Sequence, residues 1–498
     1  MSAEPIAIVG VAGCFAGAAD ANQLWNNVLN KVDATSEADA AWAALSRDND
    51  PESTDRLYTT RGGFLKELAS FDAAEFGIMP HSIDGADPDH YLGLRLARDA
   101  LADAGLLDKD FDRTRAGIII GRGGYAYRGT MTLAQHGLVL DQTLAAITAV
   151  RPDFSAAELK DLREALRAQL PAFNAEASPG FVPNIASGLI ANRLDLMGPN
   201  YVVDAACASS LLAVEAAVRE LQAGRCDVML CGGSQVQTGA QIFMIFCNIN
   251  ALSRDRVRPF SKGSSGTLLG EGAGFLALKR LSDAEADGDR IYALIRGVGV
   301  ASDGRAKGLL APRLEGEELA LRRAYENAQV SPDTISLIEA HGTGMPLGDR
   351  TEIQALSRMF GPRHGKLPTI AIGSIKSMIS HCIPASGSAS MIKTALALHH
   401  KVLPPTLCDE LEPELGLERT PFYVNTETRP WIHGGREPRR AGVNAFGFGG
   451  INAHVVLEEY RPARKVQAQV LHAPSEGELL VLAADSLDEL RARVDQLV

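Results

Sequence analysis

The stretch Pro199-Asn-Tyr-Val-Val-Asp-Ala-Ala-Cys-Ala-Ser-Ser210, continuing as Leu-Leu-Ala-Val-Glu-Ala-Ala-Val-Arg-Glu-Leu221, changes its hydrophobic period midway. Tyr201–Val203 reads as a short buried strand. From Ser209 the apolar residues Leu211, Leu212, Val214, Ala217, Val218 and Leu221 recur at helical spacing. Between the two sits Cys207, flanked by Ala205, Ala206, Ala208, Ser209 and Ser210. A strand, a tight turn and a helix place one thiol at a helix N-terminus, where unpaired N–H groups and the helix dipole favour a thiolate. Small neighbours let a reacting carbonyl reach both the sulfur and a backbone N–H. Taken alone, the stretch fits a buried structural cysteine at least as well, because free Cys is among the most buried residue types.

Working outward, the 498 residues leave room for roughly three average domains or one large α/β unit. The apolar share of 46% and charged share of 22% are those of an ordinary globular chain. A net charge of -12 argues against nucleic acid as a partner, and an acidic carrier protein would need a local basic patch. Seven cysteines, an odd number without paired CxxC spacing, fit a reducing cytosol rather than a disulfide framework or a zinc site. The N-terminus lacks a basic region followed by an apolar run, and no apolar stretch approaches membrane-spanning length. The expectation is a soluble cytoplasmic protein with no membrane partner.

Strands are predicted at Ile6–Val9, Ala116–Ile120, Val228–Leu230, Phe275–Leu278, Tyr292–Val300 and Leu337–Ala340, with helices near Leu24–Val28, Tyr91–Ala104 and Leu319–Asn327. Ile370–Ile372, Met391–His399, Phe422–Asn425, Gly442–Ala445 and Val455–Leu457 continue the alternation. Such a series argues α/β layers around a largely buried sheet; it permits a two-half symmetry without establishing it. Residues 32–60 read as a polar surface excursion. Ser155 and Glu158 form a capping-box pattern, and Leu159, Leu162, Leu166 and Leu170 a stripe for packing against the body or a second copy of the chain. From Arg461 the chain reads as a linker, then a strand at Leu479–Leu482 and a helix capped by Ser486. One strand and one helix cannot close a core, so the tail resembles a cut inside the next unit of a longer polypeptide.

Three further stretches are rich in glycine, small residues and histidine. They are Glu339-Ala-His-Gly-Thr-Gly-Met-Pro-Leu-Gly-Asp349, Gly373-Ser-Ile-Lys-Ser-Met-Ile-Ser-His381 and Asn444-Ala-Phe-Gly-Phe-Gly-Gly-Ile-Asn-Ala-His454. A single histidine in such a loop is more often structural. Two of them in one chain with a helix-start Cys shift the balance to function. Lys376 and Glu352 could orient the imidazoles as an opposite-charge pair, with a surface ion pair as the plain alternative.

Together these blocks resemble the signatures of β-ketoacyl synthases, specifically the ketosynthase domain of iterative type I polyketide synthases. Arg258-Pro-Phe260, Gly270-Glu-Gly-Ala-Gly274 and the opening Pro-Ile-Ala-Ile-Val-Gly add to the match, which runs from about residue 4 to 460. The resemblance implies a thiolase-like α/β fold, two similar halves in a five-layered α-β-α-β-α sandwich, working as a homodimer. It implies a ketosynthase domain over 1–460, halved near 275, and over 461–498 the start of a linker to an acyltransferase domain. It implies decarboxylative Claisen condensation of a Cys207-bound acyl chain with malonyl on an acyl carrier protein. His341 and His381 would donate hydrogen bonds to the malonyl carbonyl, with Lys376 and Glu352 in support. The N–H groups of Cys207 and Phe448 would form the oxyanion hole, and Phe448 would gate the pocket. Thr343, Phe446 and Gly449 would contact substrate. No metal or cofactor is implied in the domain itself; phosphopantetheine arrives on the carrier protein.

Departures from the family pattern matter too. Met345 stands where a second pantetheine-contacting Thr is usual, Ser380 replaces the glycine before the second histidine, and Arg350-Thr351 replaces Pro-Ile. With Ala-Ala-Cys-Ala-Ser-Ser, they look closer to synthases of polyunsaturated, glycolipid or enediyne chains. A dinucleotide-binding reading of Gly121-Arg-Gly-Gly-Tyr-Ala126 is weak, since a short glycine motif without a clean following helix has many chance matches.

Overall fold

The computed structural model describes residues 4–46, 54–83, 86–124, 127–173, 175–306, 308–435, 437–462 and 481–496. Five strands build the first half of the sheet: β1 (Ile6–Phe15), β2 (Ala116–Gly121), β3 (Asn200–Val203), β4 (Val228–Gln235) and β5 (Gly272–Arg280). Six build the second: β6 (Ala293–Ser302), β7 (Leu337–Glu339), β8 (Ile370–Gly373), β9 (Phe422–Val424), β10 (Arg440–Gly447) and β11 (Ile451–Glu458). Their order is β3-β2-β4-β5-β1-β6-β11-β10-β7-β8-β9.

The two-half symmetry that the sequence only permits is present in this order. Outward from β1, its pairings with β5 and of β5 with β4 are antiparallel, and those of β4 with β2 and β2 with β3 are parallel. Outward from β6 the same succession recurs through β11, β10, β7 and β8, with β9 added at the edge. The halves join where Ile6–Ile8 of β1 pairs with β6.

Alternation along each strand explains the layers, because successive side chains point to opposite faces. In β1, Ile6, Ile8, Val11 and Phe15 enter the central core, while Ala7, Val9, Ala12 and Cys14 enter an outer one. The outer core packs the helix α1 (Pro88–Asp103), and the central core holds α2 (Ser209–Gln222). A third core lies on the far face of the second half, under α3 (Leu314–Ala328) and α4 (Pro346–Phe360). The helix α5 (Ser386–His400) shares the central layer with α2. Helices outside, two half-sheets, and α2 with α5 between them give five layers. Gly387 lets the two central helices touch: a Cβ there would lie 2.6 Å from Ser210 Oγ, whose oxygen accepts the Ser388 N–H at 3.0 Å.

All the predicted strands of the sheet form. Ser155 and Glu158 close the expected capping box on the helix Ala156–Ala168, but its leucine stripe is only half-buried. A short helix, Arg128–Ala134, does follow the glycine-rich turn after β2. Ser486 caps the helix Leu487–Asp495 as expected. The strand predicted at 479–482 falls partly outside the described residues, and Val481–Leu482 are not in a strand. Most of the expected linker also lies outside them. Among the described residues no helix is long and apolar enough to cross a membrane.

Candidate active site

The turn between β3 and α2 is held by its own side chains. Asp204 accepts the Ala206 N–H at 2.9 Å and the Gly124 N–H at 2.7 Å. Ser209 accepts the Ala205 N–H at 2.8 Å and donates to the Ala206 carbonyl at 2.6 Å. Ala206 is thereby held at φ 48°, a left-handed conformation disfavoured for any residue with a Cβ. Cys207 follows on a single 3-10 turn, buried, at the start of α2.

The structure corrects the expectation of a resting thiolate. Burial pushes the Cys207 thiol up to about 11, while the Lys376 charge and the backbone N–H groups of Phe448 and Cys207 itself pull the other way. Desolvation outweighs the helix terminus because the charged form would be buried away from water. The opposing causes matter for chemistry: a positive charge and two N–H donors already face the sulfur.

His341 follows the C-terminal end of β7, and His381 lies beyond β8, two residues after the short helix Lys376–Ile379. Their rings meet edge to face with centroids 5.5 Å apart. Burial and the Lys376 charge hold both imidazoles well below the usual histidine range, so both are neutral near pH 7. Cys207, His341, His381, Thr343, Phe446 and Phe448 line one cavity together with Met345 and Phe246. Phe448 stacks on Phe246 at 5.9 Å, and Phe446 lies against His341 at 5.6 Å. Gly449 sits outside this cavity, at the turn between β10 and β11, where its N–H donates to the Leu309 carbonyl at 2.8 Å.

Glu352 and Lys376 do not orient the imidazoles as an ion pair. Glu352 instead grips the loop backbone, accepting the N–H groups of His341 and Gly342 at 2.7 and 2.8 Å. It also accepts Asn444 Nδ2 at 2.7 Å, and Asn444 in turn bonds His454 Nδ1, whose Nε2 meets the Tyr325 hydroxyl at 3.1 Å. This chain ties the active-site loop to the outer helix α3. The Lys376 charge lowers the pKa of Cys207, His341 and His381 alike. Burial lowers its own basicity, and Glu339 and Glu352 counter that.

Sequence reading misses the ion pair of Lys393 with Glu339, at 2.6 Å and buried. Nothing marks Lys393 among the residues of α5. Asp349 closes the first histidine block, and the spacing there gives it no role. It accepts the N–H groups of Phe260, Thr343 and Gly344, which sets the loop that presents Thr343 to the cavity.

A buried thiol that shares a cavity with two neutral imidazoles and has two N–H donors toward its sulfur can support acyl transfer. The chain belongs to the β-ketoacyl synthase family. It matches that family's N-terminal domain over residues 3–284, its C-terminal domain over 292–408 and the ketoacyl-synthetase C-terminal extension over 412–497. One subunit of the polyunsaturated fatty acid synthase from a Thraustochytrium strain is 36% identical over 99% of this chain. Polyketide synthase PksN of Bacillus subtilis is 34% identical over the same share. The chain spans only 18% and 9% of those two proteins. Among solved structures, the oxazolomycin ketosynthase domain OzmH KS7 of Streptomyces albus is similar at a TM-score of 0.77 and 32% identity, over 92% of this chain and 76% of that one. The ketosynthase from module 6 of the Bacillus subtilis bacillaene synthase gives 0.77 and 31%, over 99% and 76%. These relatives share the thiolase-like fold, and the chain is a ketosynthase domain of the acyltransferase class.

Proposed function

We propose that this domain joins a Cys207-bound acyl chain to a malonyl unit carried on an acyl carrier protein. The acyl group passes from a phosphopantetheine thioester to Cys207, releasing the carrier thiol; the N–H groups of Cys207 and Phe448 stabilise the tetrahedral oxyanion. Malonyl thioester then loses CO2, and Nε2–H groups of His341 and His381 stabilise the enolate oxygen. The enolate carbon attacks the Cys207 thioester. Sulfur leaves as thiolate and takes up one proton, giving the β-ketoacyl carrier thioester, CO2 and free thiol. Neutral imidazoles suit this role, since each supplies an N–H donor without a charge to desolvate. The observation that carries the reading is the meeting of Cys207, His341 and His381 in one cavity wall.

The same reading takes Lys376 and Glu352 as support, Thr343 and Phe446 as substrate contacts and Phe448 as the gate; Gly449 acts through the turn that carries Phe448. Residues 1–460 form the ketosynthase unit, divided near 275, and 461–498 begin the linker toward an acyltransferase domain. The 36% identity to a polyunsaturated fatty acid synthase supports an iterative synthase taking medium or long, partly unsaturated chains. A second copy suits the open edge of β3, which ends the sheet with Tyr201 exposed, and the half-buried leucine stripe. The setting is cytoplasmic.

Intact-protein mass spectrometry after incubation with acyl thioesters of graded length tests this. Wild type gains one acyl mass and Cys207→Ala none, and only wild type then releases a β-ketoacyl product from malonyl carrier. Acyl loading of Cys207→Ala would overturn the nucleophile, and exclusive acetyl loading the chain-length class.

A further inference from the structure

His381 has a buried partner that the mechanism above does not use. Ser386, the first residue of α5, lies five positions after His381, and its hydroxyl sits 2.7 Å from His381 Nδ1. Both side chains are buried. Among the described residues this is the hydrogen bond recorded for the Ser386 hydroxyl. Its helix neighbour Ser388 differs, giving its proton to the Ala385 carbonyl at 2.7 Å.

A hydroxyl has one proton to donate, and a neutral imidazole has one N–H and one bare nitrogen. Were the imidazole proton on Nδ1, the Ser386 oxygen would accept it and its own proton would be left without a buried acceptor. An unmade buried hydrogen bond costs more than a made one returns, so the arrangement with O–H donating to Nδ1 is favoured. We propose that Ser386 is a positioning residue that fixes His381 as the Nε2–H tautomer, aiming a permanent hydrogen-bond donor at the reacting thioester. The inference rests on His381 being that donor. It also separates the two histidines, because among the described residues His341 Nδ1 is buried without a hydrogen-bond partner and has no such tether. The imidazole's neutrality, already set by burial and the Lys376 charge, is what makes a tautomer the relevant variable.

Nitrogen-15 spectra of histidine-labelled wild-type protein near pH 7 read the tautomer directly, with His381 assigned by its loss in His381→Ala. The expected pattern is bare Nδ1 and protonated Nε2. Ser386→Ala should mix the tautomers and lower kcat for malonyl thioester decarboxylation about tenfold, less than removal of an oxyanion donor outright. KM should change less than about twofold, since the lost interaction belongs to the transition state. Ser386→Thr, which keeps the hydroxyl, should restore kcat to within about threefold of wild type and the wild-type spectrum. Acylation of Cys207 counts folded sites in each variant. A protonated Nδ1 in wild type, or folded Ser386→Ala with wild-type kcat, overturns the proposal; so does a loss confined to KM. If Ser386→Ala does not fold, the wild-type and Ser386→Thr spectra still decide. Failure of wild-type Cys207 to take any acyl group would instead strike the broader reading, leaving the tautomer measurement intact.

Discussion

Glu339 and Lys393 meet at 2.6 Å with neither side chain more than 2% exposed. Glu339 also accepts the Ile375 N–H at 2.8 Å, so this one ion pair binds the strand that leads to His341, the start of the short helix Lys376–Ile379 and the central helix α5. Removing one partner strands a buried charge. Lys393→Met should cost about 3–5 kcal/mol in urea unfolding and blunt condensation by loosening both histidine loops. A loss below about 1 kcal/mol would mean that the pair is dispensable.

Ser380 precedes His381 at φ 66° and ψ -176°, backbone space that is almost exclusively glycine's, and its hydroxyl is buried without a partner among the described residues. Strain there costs about 1–3 kcal/mol, partly offset by the greater freedom glycine gives the unfolded chain. Ser380→Gly should therefore raise stability by about 1 kcal/mol, read by urea denaturation, with acylation of Cys207 unimpaired. A destabilised variant would show that the serine is held for a gain not seen in its contacts.

The Cys207 thiol, pushed up to about 11, predicts reactivity that keeps climbing with pH. Alkylation by iodoacetamide, corrected by subtracting the rate in Cys207→Ala, should rise about tenfold per pH unit between pH 6 and 9. A plateau below pH 8 would mean that the helix terminus and Lys376 win over burial.

Asp349 is buried and its carboxyl is pushed up to about 7, against three N–H donors that pull it down. Burial likewise raises Glu271 to about 7. Each folded-state value lies above the ordinary carboxylate range, so between pH 4 and 7 the folded state binds protons that the unfolded chain has lost. Their contribution to stability is complete below about pH 4 and is lost as pH rises through 7. Compared with wild type, Asp349→Asn should lack the destabilisation that sets in between pH 4 and 7, a difference of about one proton, or about 1.4 kcal/mol per pH unit, in the slope of stability against pH. An unchanged slope in Asp349→Asn would show that its three hydrogen bonds keep it ionised throughout.

Periodicity and small-residue turns make the sheet legible, because a strand buried on both faces leaves a run of apolar residues with glycine at its end. The Cys207, His341 and His381 loops are legible for the related reason that a pocket needs small side chains around its reacting atoms. The braces are not. Glu352 reads as a partner for an imidazole and holds two backbone N–H groups instead; Asn444 and His454 complete its tether; Lys393 and Ser386 look like ordinary helix residues. Two of these partners, Lys393 for Glu339 and Asn444 for Glu352, meet across 54 and 92 residues, and the rest, 5 to 11 residues apart, depend on how a loop folds back rather than on any hydrophobic period. The state of the thiol escapes sequence reading because burial is a tertiary property, whereas the helix start is a local one.

The repeated strand order divides the labour of the reaction. Cys207 follows β3 in the first half, and the His381 loop follows β8, its counterpart in the second, with His341 and Phe448 also from the second half. In the mechanism we propose, the electrophile is thus held by one repeat and the carbon nucleophile is generated by the other. In that mechanism the two central helices, which begin beside Cys207 and after His381 and touch at Gly387 and Ser210, are the contact that would hold the two reacting carbons at their spacing. A duplicated scaffold has turned one internal seam into the measuring gauge for bond formation.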